Sequence, residues 1–185
     1  MQATRNAPPA QPAPLAAAEP SIRDPNDGKF RFALERTLLH EGGYAHDPLD
    51  SGGETHFGIS KRSYPALDIR NLTRADAEKI YFRDWWQQHR YGAISDTEIA
   101  AKVFDLAVNL GPSPAHRLLQ AALCETLDGP VVVVDGRLGD ATLAAVNGHP
   151  EPRYLLAALK LRAVARYLQI GKVRFLAGWI KRAIA

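Results

Sequence analysis

The chain has 185 residues, 46% of them hydrophobic, enough to bury one proper core and to allow one or two small domains. Its single cysteine, Cys124, excludes an intramolecular disulfide, and no apolar run approaches the roughly 18 residues a membrane helix needs, so a soluble fold that does not depend on oxidation is expected. The formal charge of +3 conceals an asymmetry: residues 1–150 carry 15 Lys+Arg against 19 Asp+Glu, whereas residues 151–185 carry 8 against 1, a basic end suited to a polyanionic partner or a solvated helix face.

Residues 1–28 hold Pro8, Pro9, Pro12, Pro14, Pro20 and Pro25 among many alanines, without the continuous apolar core of a signal peptide. They read as a disordered or polyproline-like arm. From Lys29 to Glu41, Phe30, Leu34 and Leu38 recur at helical spacing, and continuing the stripe reaches Glu41 or Gly42, where Gly42 and Gly43 stop the helix. Tyr44 to Ser60 is rich in Gly, Asp, Pro, Ser and Thr and predicts turns around one or two short strands.

Thr73 opens the next helix with Asp76 at capping-box spacing, and Ala77, Ile80, Tyr81 and Trp85 form its apolar face. A further helix runs from Asp96 or Thr97 to Gly111, and another, with Ser113 and Pro114 at its start, carries Leu118 to Leu123. Between two Asp-Gly turns, Val131 to Val134 predicts a hairpin or an extended linker. Helices over 141–146, 154–168 and 175–184 complete a mainly α architecture with a small β element. The expected divisions are the arm 1–28, a catalytic region 29–126 and a C-terminal helical region 127–185 packed on it.

A carboxyl group at the end of an apolar helix face is partly desolvated, which raises its pKa and suits it to protonate a glycosidic oxygen. Glu41 meets that condition. A surface glutamate there would be unfavourable at a helix C-terminus. Asp47, Asp50 and Glu54 follow in the turn-rich segment with Thr55 and His56. Asp50 lies nine residues after Glu41 and Thr55 fourteen, so a hairpin folding back over the helix end would bring either near it. Asp47, before Pro48, reads as a turn residue. Asp105 and Asn109, four apart on an apolar helix, project from one face, either onto a cleft floor or as a buried pair. Tyr44, Trp85, Trp86 and Tyr91 are candidates to stack on sugar rings. Trp85 lies on the apolar stripe and Trp86 off it, so Trp86 is the expected cleft residue. None of the six histidines has zinc-binding spacing, so neither a metal nor a cofactor is expected.

The run His40-Glu41-Gly42-Gly43-Tyr44, with Asp47-Pro48, Asp50, Gly52-Gly53 and Thr55-His56-Phe57-Gly58-Ile59, resembles glycoside hydrolase family 108, lysozyme-like muramidases of phage endolysins and bacterial secretion systems. The likeness continues through Trp85-Trp86, Phe104-Asp105, Asn109, Val134-Asp135-Gly136 and Gly178-Trp179-Ile180. It implies an α+β lysozyme-like fold with a β-hairpin after the catalytic helix, and Glu41 as catalytic acid. Asp50 and Thr55 are its candidate partners; Tyr44, His56, Trp86, Asp105 and Asn109 are candidate substrate contacts. His56 stands where the family most often has asparagine. Thr55 follows Asp50 after four intervening residues, where phage lysozymes have five.

The implied activity is cleavage of the β-1,4 bond between N-acetylmuramic acid and N-acetylglucosamine in peptidoglycan by a monomer that binds no nucleic acid and inserts in no membrane. The chain would reach the wall after holin- or secretion-system-mediated release. A non-catalytic wall-binding or secretion-activating protein on the same fold is the alternative. The sequence leaves retention or inversion of configuration open.

Overall fold

Helix α1, Asp27–Leu38, forms because Phe30, Ala33, Leu34 and Thr37 fall on one side of a 3.6-residue period, and all four are buried. The computed structural model describes residues 27–39, 43–46 and 53–185; the proline-rich arm, Glu41, Asp47 and Asp50 lie outside the described residues. After α1 come three short strands, β1 (Ala45–His46), β2 (Glu54–His56) and β3 (Ile59–Ser60), in an antiparallel sheet of order β1-β2-β3. The turn-rich composition thus supports one strand more than expected.

Helix α2, Arg74–Ile80, starts at the expected capping box, with Thr73 and Asp76 each satisfying the other's backbone N–H. It runs directly into a π-helical turn, Tyr81–Gln87, and a 3₁₀ turn, Tyr91–Ala93, follows. Asp96 caps α3, Thr97–Leu110, by accepting from the Ile99 N–H at 2.9 Å. Helix α4, Pro112–Thr126, begins earlier than expected, because Pro112 takes the first-turn position and Gly111 alone separates α3 from α4.

Residues 128–139 form no hairpin but an irregular connection, several of whose backbone groups bond side chains of α4. Arg117 and Gln120 donate to the Val134 and Arg137 carbonyls, His116 Nδ1 lies 3.0 Å from the Gly136 carbonyl, and the Gly136 N–H donates to Gln120 Oε1 at 2.8 Å. The His116 ring is buried, and its Nε2 lies 3.0 Å from the Tyr91 hydroxyl. Gly136 has φ +80°, and a Cβ there would lie 2.4 Å from Ser113 Oγ, so no other residue fits. Helices α5 (Asp140–Asn147), α6 (Pro152–Ile170) and α7 (Val173–Ile184) complete the chain.

Every residue of α3 from Ile99 to Ala107 is buried, so α3 is the axis of the molecule, packed by α1, α4 and α6. Polar bonds join the two ends of the chain around it. Asn147 of α5 donates to the Ala93 carbonyl at 2.9 Å and accepts from the Ser95 N–H at 2.8 Å. Arg36 of α1 pairs with Glu98 of α3 at 3.0 Å and also donates to the Ala185 carbonyl.

A buried charge cluster lies between α3 and α7. Arg182 donates to Asp105 Oδ1 at 2.9 Å, both side chains 6% exposed, while Lys102 donates to the Arg182 carbonyl at 2.8 Å and stands 3.7 Å from Asp105 Oδ2. Removing one member of such a cluster strands the others in a poorly solvating interior. Asp105→Ala is therefore expected to lower unfolding stability by about 3–5 kcal/mol, read as a fall of the order of 10 °C in Tm. An unchanged midpoint would contradict the assignment.

Burial pushes the Lys102 ammonium down to about 8. The unfolded chain holds that proton more tightly, so below pH 8 folding carries the full cost of burying the charge, and stability from this residue rises with pH between about 8 and the ordinary lysine value near 10.4. The Tm difference between Lys102→Met and wild type, variant minus wild type, should be greatest near pH 7 and shrink toward pH 10. A difference that does not change with pH would show that Lys102 is not desolvated.

Candidate functional site

The sheet is shaped by its two-residue turn. Phe57 (φ 50°) and Gly58 (φ 77°) both adopt left-handed conformations, the geometry that matches the twist of a tight hairpin. Glycine does so freely; phenylalanine must be held. Tyr81 donates its hydroxyl proton to the Phe57 carbonyl at 2.9 Å, and the Phe57 ring stacks on His56 with centroids 4.1 Å apart.

The register sorts the candidate residues between two faces. Ala45 pairs with Thr55 and Thr55 with Ser60, while His46 pairs with Glu54 and His56 with Ile59. Because side chains alternate along a strand, Thr55 lies on the face opposite Glu54 and His56. The latter face turns inward at one end, where Ile59 is buried and His56 Nδ1 lies 3.2 Å from the Ile69 carbonyl. A carbonyl only accepts, so Nδ1 carries the proton of this contact.

Tyr44 joins the same group. Its ring meets His56 edge-on at 5.9 Å, its hydroxyl donates to Glu54 Oε1 at 3.0 Å, and the Arg70 guanidinium sits 5.6 Å from its ring centroid. Tyr44, Glu54, His56 and Arg70 thus form a partly exposed cluster of one aromatic face, one carboxylate, one imidazole and one cation. The sequence marks Glu54 only as a possible second carboxylate. It does not mark Arg70 at all, since no local pattern singles out a residue whose partners lie 16 to 26 positions away.

Three of the expected substrate contacts lie elsewhere. Trp86 is 2% exposed and packs against Phe30, Tyr91 and Phe104. The π-helical turn explains the reversal: its wider period brings residue i+5, not i+4, onto the face of Tyr81, so Trp86 is buried with Tyr81 and Trp85 is turned outward to half-burial. Asp105 is consumed by Arg182 and Lys102. Asn109 accepts from the Tyr167 hydroxyl at 2.8 Å, tying α3 to α6. The two helix-face polar residues hold helices together and do not line a cleft.

Beside the π turn, Tyr64 donates to Asp84 Oδ2 at 3.0 Å, while Arg83 pairs with Asp84. Burial, then the Asp84 charge, pushes the Tyr64 phenol up, so it stays protonated and keeps this bond. Among the described residues no group of three or more His, Cys, Asp or Glu side chains could hold a metal ion.

Comparison with known proteins agrees with this architecture. The family model described as glycosyl hydrolase 108 matches residues 34–111, and the one described as predicted peptidoglycan domain matches residues 114–184. No curated protein sequence matches the chain significantly. Among solved structures, that of Brucella abortus SagA is similar, with 26% identity and a TM-score of 0.69 over 84% of this chain and 90% of that one. Residues 34–111 are thus similar to the glycosyl hydrolase 108 family and residues 114–184 to a predicted peptidoglycan domain.

Proposed function

We propose that the protein is a muramidase that hydrolyses the β-1,4 bond between N-acetylmuramic acid and N-acetylglucosamine, with Glu41 protonating the leaving oxygen. The observation that carries this reading is the glycosyl hydrolase match across residues 34–111, which spans Glu41 and the three-stranded sheet that follows α1. Leaving-group protonation requires a carboxylic acid that is still protonated near neutral pH.

Asp50 or Thr55 completes the mechanism in this proposal. A carboxylate at Asp50 would stabilise the oxocarbenium-like transition state or activate water, and the Thr55 hydroxyl would orient that water. Thr55 suits the role because it lies on the sheet face that the Tyr44–Glu54–His56 cluster leaves to it. Tyr44 and the half-buried Trp85 supply aromatic surfaces for sugar rings. The predicted peptidoglycan domain supports peptidoglycan as the partner of the whole chain.

Glu41→Gln keeps the shape of the side chain and removes its proton. It should lower the release of reducing ends from purified sacculi by about 10²–10⁴-fold while the protein still sediments with the sacculi. Cleavage at the wild-type rate in that variant would end the mechanism; a wild-type protein that binds sacculi without releasing reducing ends would establish the wall-binding alternative.

The two adjacent tryptophans allow a second check. Trp86→Ala is expected to cost about 3–5 kcal/mol of stability, whereas Trp85→Ala should leave the Tm within a few degrees and raise KM for soluble glycan fragments several-fold. Equal losses of stability in both variants would remove Trp85 from the substrate surface.

A further inference from the structure

The basic C-terminal segment is not fully used by the fold. Arg182 is buried against Asp105, Arg162 pairs with Glu125 at 2.8 Å, and Lys160 donates to the Ile184 and Ala185 carbonyls. Arg166, Lys172 and Arg174 are exposed, and they gather where α6 turns into α7. Interleaved with them are the exposed apolar side chains Leu168 (53%), Val173 (81%) and Phe175 (49%). The Arg174 guanidinium lies 5.5 Å from the Phe175 ring centroid, and Phe175 stacks on Trp179 at 5.8 Å, so the aromatic is fixed in position.

An apolar stripe leads away from this corner. Tyr154, Leu161 and Leu168 are seven residues apart on α6, which places them on one helical face, and each is at least half exposed. Six of the exposed large apolar side chains among the described residues fall in this last pair of helices, between Tyr154 and Ile184.

We propose that the α6–α7 corner is a peripheral docking surface for an anionic phospholipid bilayer. Cations that alternate with exposed aliphatic and aromatic groups match the headgroup boundary, where phosphates meet the ends of acyl chains. Glycan alone offers the valine and leucine side chains little apolar surface to bury against. A second copy of the chain would bring Arg166, Lys172 and Arg174 against their own like charges. The contact is superficial, since no helix of the described residues is long and apolar enough to cross a membrane. The surface is independent of glycan cleavage, and its effect would be to hold the protein at the membrane face of the wall.

The test is co-sedimentation of the full chain with vesicles of phosphatidylcholine, and of phosphatidylcholine mixed with phosphatidylglycerol, at low and high salt. Binding is expected only to the anionic vesicles and should weaken with salt. Lys172→Gln with Arg174→Gln should lower the partition coefficient roughly thirtyfold, and Val173→Ser alone about tenfold. These side chains are on the surface, so circular dichroism and Tm should match wild type. No binding to either vesicle overturns the proposal, as does equal binding to both. A Val173→Ser variant that binds anionic vesicles like wild type reduces the surface to a generic cationic patch and also overturns it. A concentration-dependent dimer abolished by Val173→Ser would assign the surface to a second copy instead.

Discussion

The structure depends on the buried ion cluster between α3 and α7. Asp105 sits in the middle of a helix whose other side chains are mostly apolar, and there it meets Arg182 from the end of the chain with Lys102 beside it. Burying a charge without a partner would cost several kcal/mol, so α3 is properly made only when α7 is docked. The glycosyl hydrolase region ends at Gly111 and the predicted peptidoglycan domain begins at Pro114, yet this bond crosses between them. The Asn109–Tyr167 and Asn147–Ala93 bonds cross as well. The peptidoglycan-binding-like helices thus act as a second wall of the hydrolase core, and a substitution in either region should be felt in the other.

That arrangement has a consequence for the sheet. Tyr81 and Trp86, on the π turn, pack on Phe104 of α3, and Tyr81 also holds the strained Phe57 carbonyl at the hairpin tip. A line of contacts therefore runs from the ion cluster through the aromatic core to the β2–β3 turn. The placement of His56, stacked on Phe57 and bonded to the Ile69 carbonyl, is thus set by packing.

Much of this architecture is legible in the amino-acid sequence. The α1 stripe, the Thr73–Asp76 capping box and the Asp96 start are local signals, and each produces a helix, whereas α4 starts at Pro112, ahead of the expected Ser113. Where sequence and structure part, the deciding information is mostly held in distant partners. An aspartate and an asparagine four apart on an apolar helix look alike whether they face a cleft or a buried arginine 77 residues away. The tryptophan pair misleads for another reason. Helical periodicity assumes 3.6 residues per turn, and the π turn changes the period where Trp85 and Trp86 occur. Residues 128–139 likewise carry strand-forming valines, but the backbone bonds that would build a hairpin are taken by His116, Arg117 and Gln120.

The charge asymmetry takes on a different meaning once its members are separated by burial. A surplus of seven positive charges in the last 35 residues suggests a uniform basic face, but at least three of the cations are occupied in closing the fold. The cations that stay exposed at the α6–α7 corner are the ones with apolar neighbours, Leu168 beside Arg166 and Val173 between Lys172 and Arg174. The fold thus sorts one basic segment into two chemically distinct sets: an inner set that neutralises carboxylates and carbonyls, and an outer set whose partner must offer negative charge and an apolar surface together. Net charge alone would predict an electrostatic partner that high salt removes entirely. The pairing of charge with exposed aliphatic groups requires part of the affinity to survive, because burial of apolar surface is not screened.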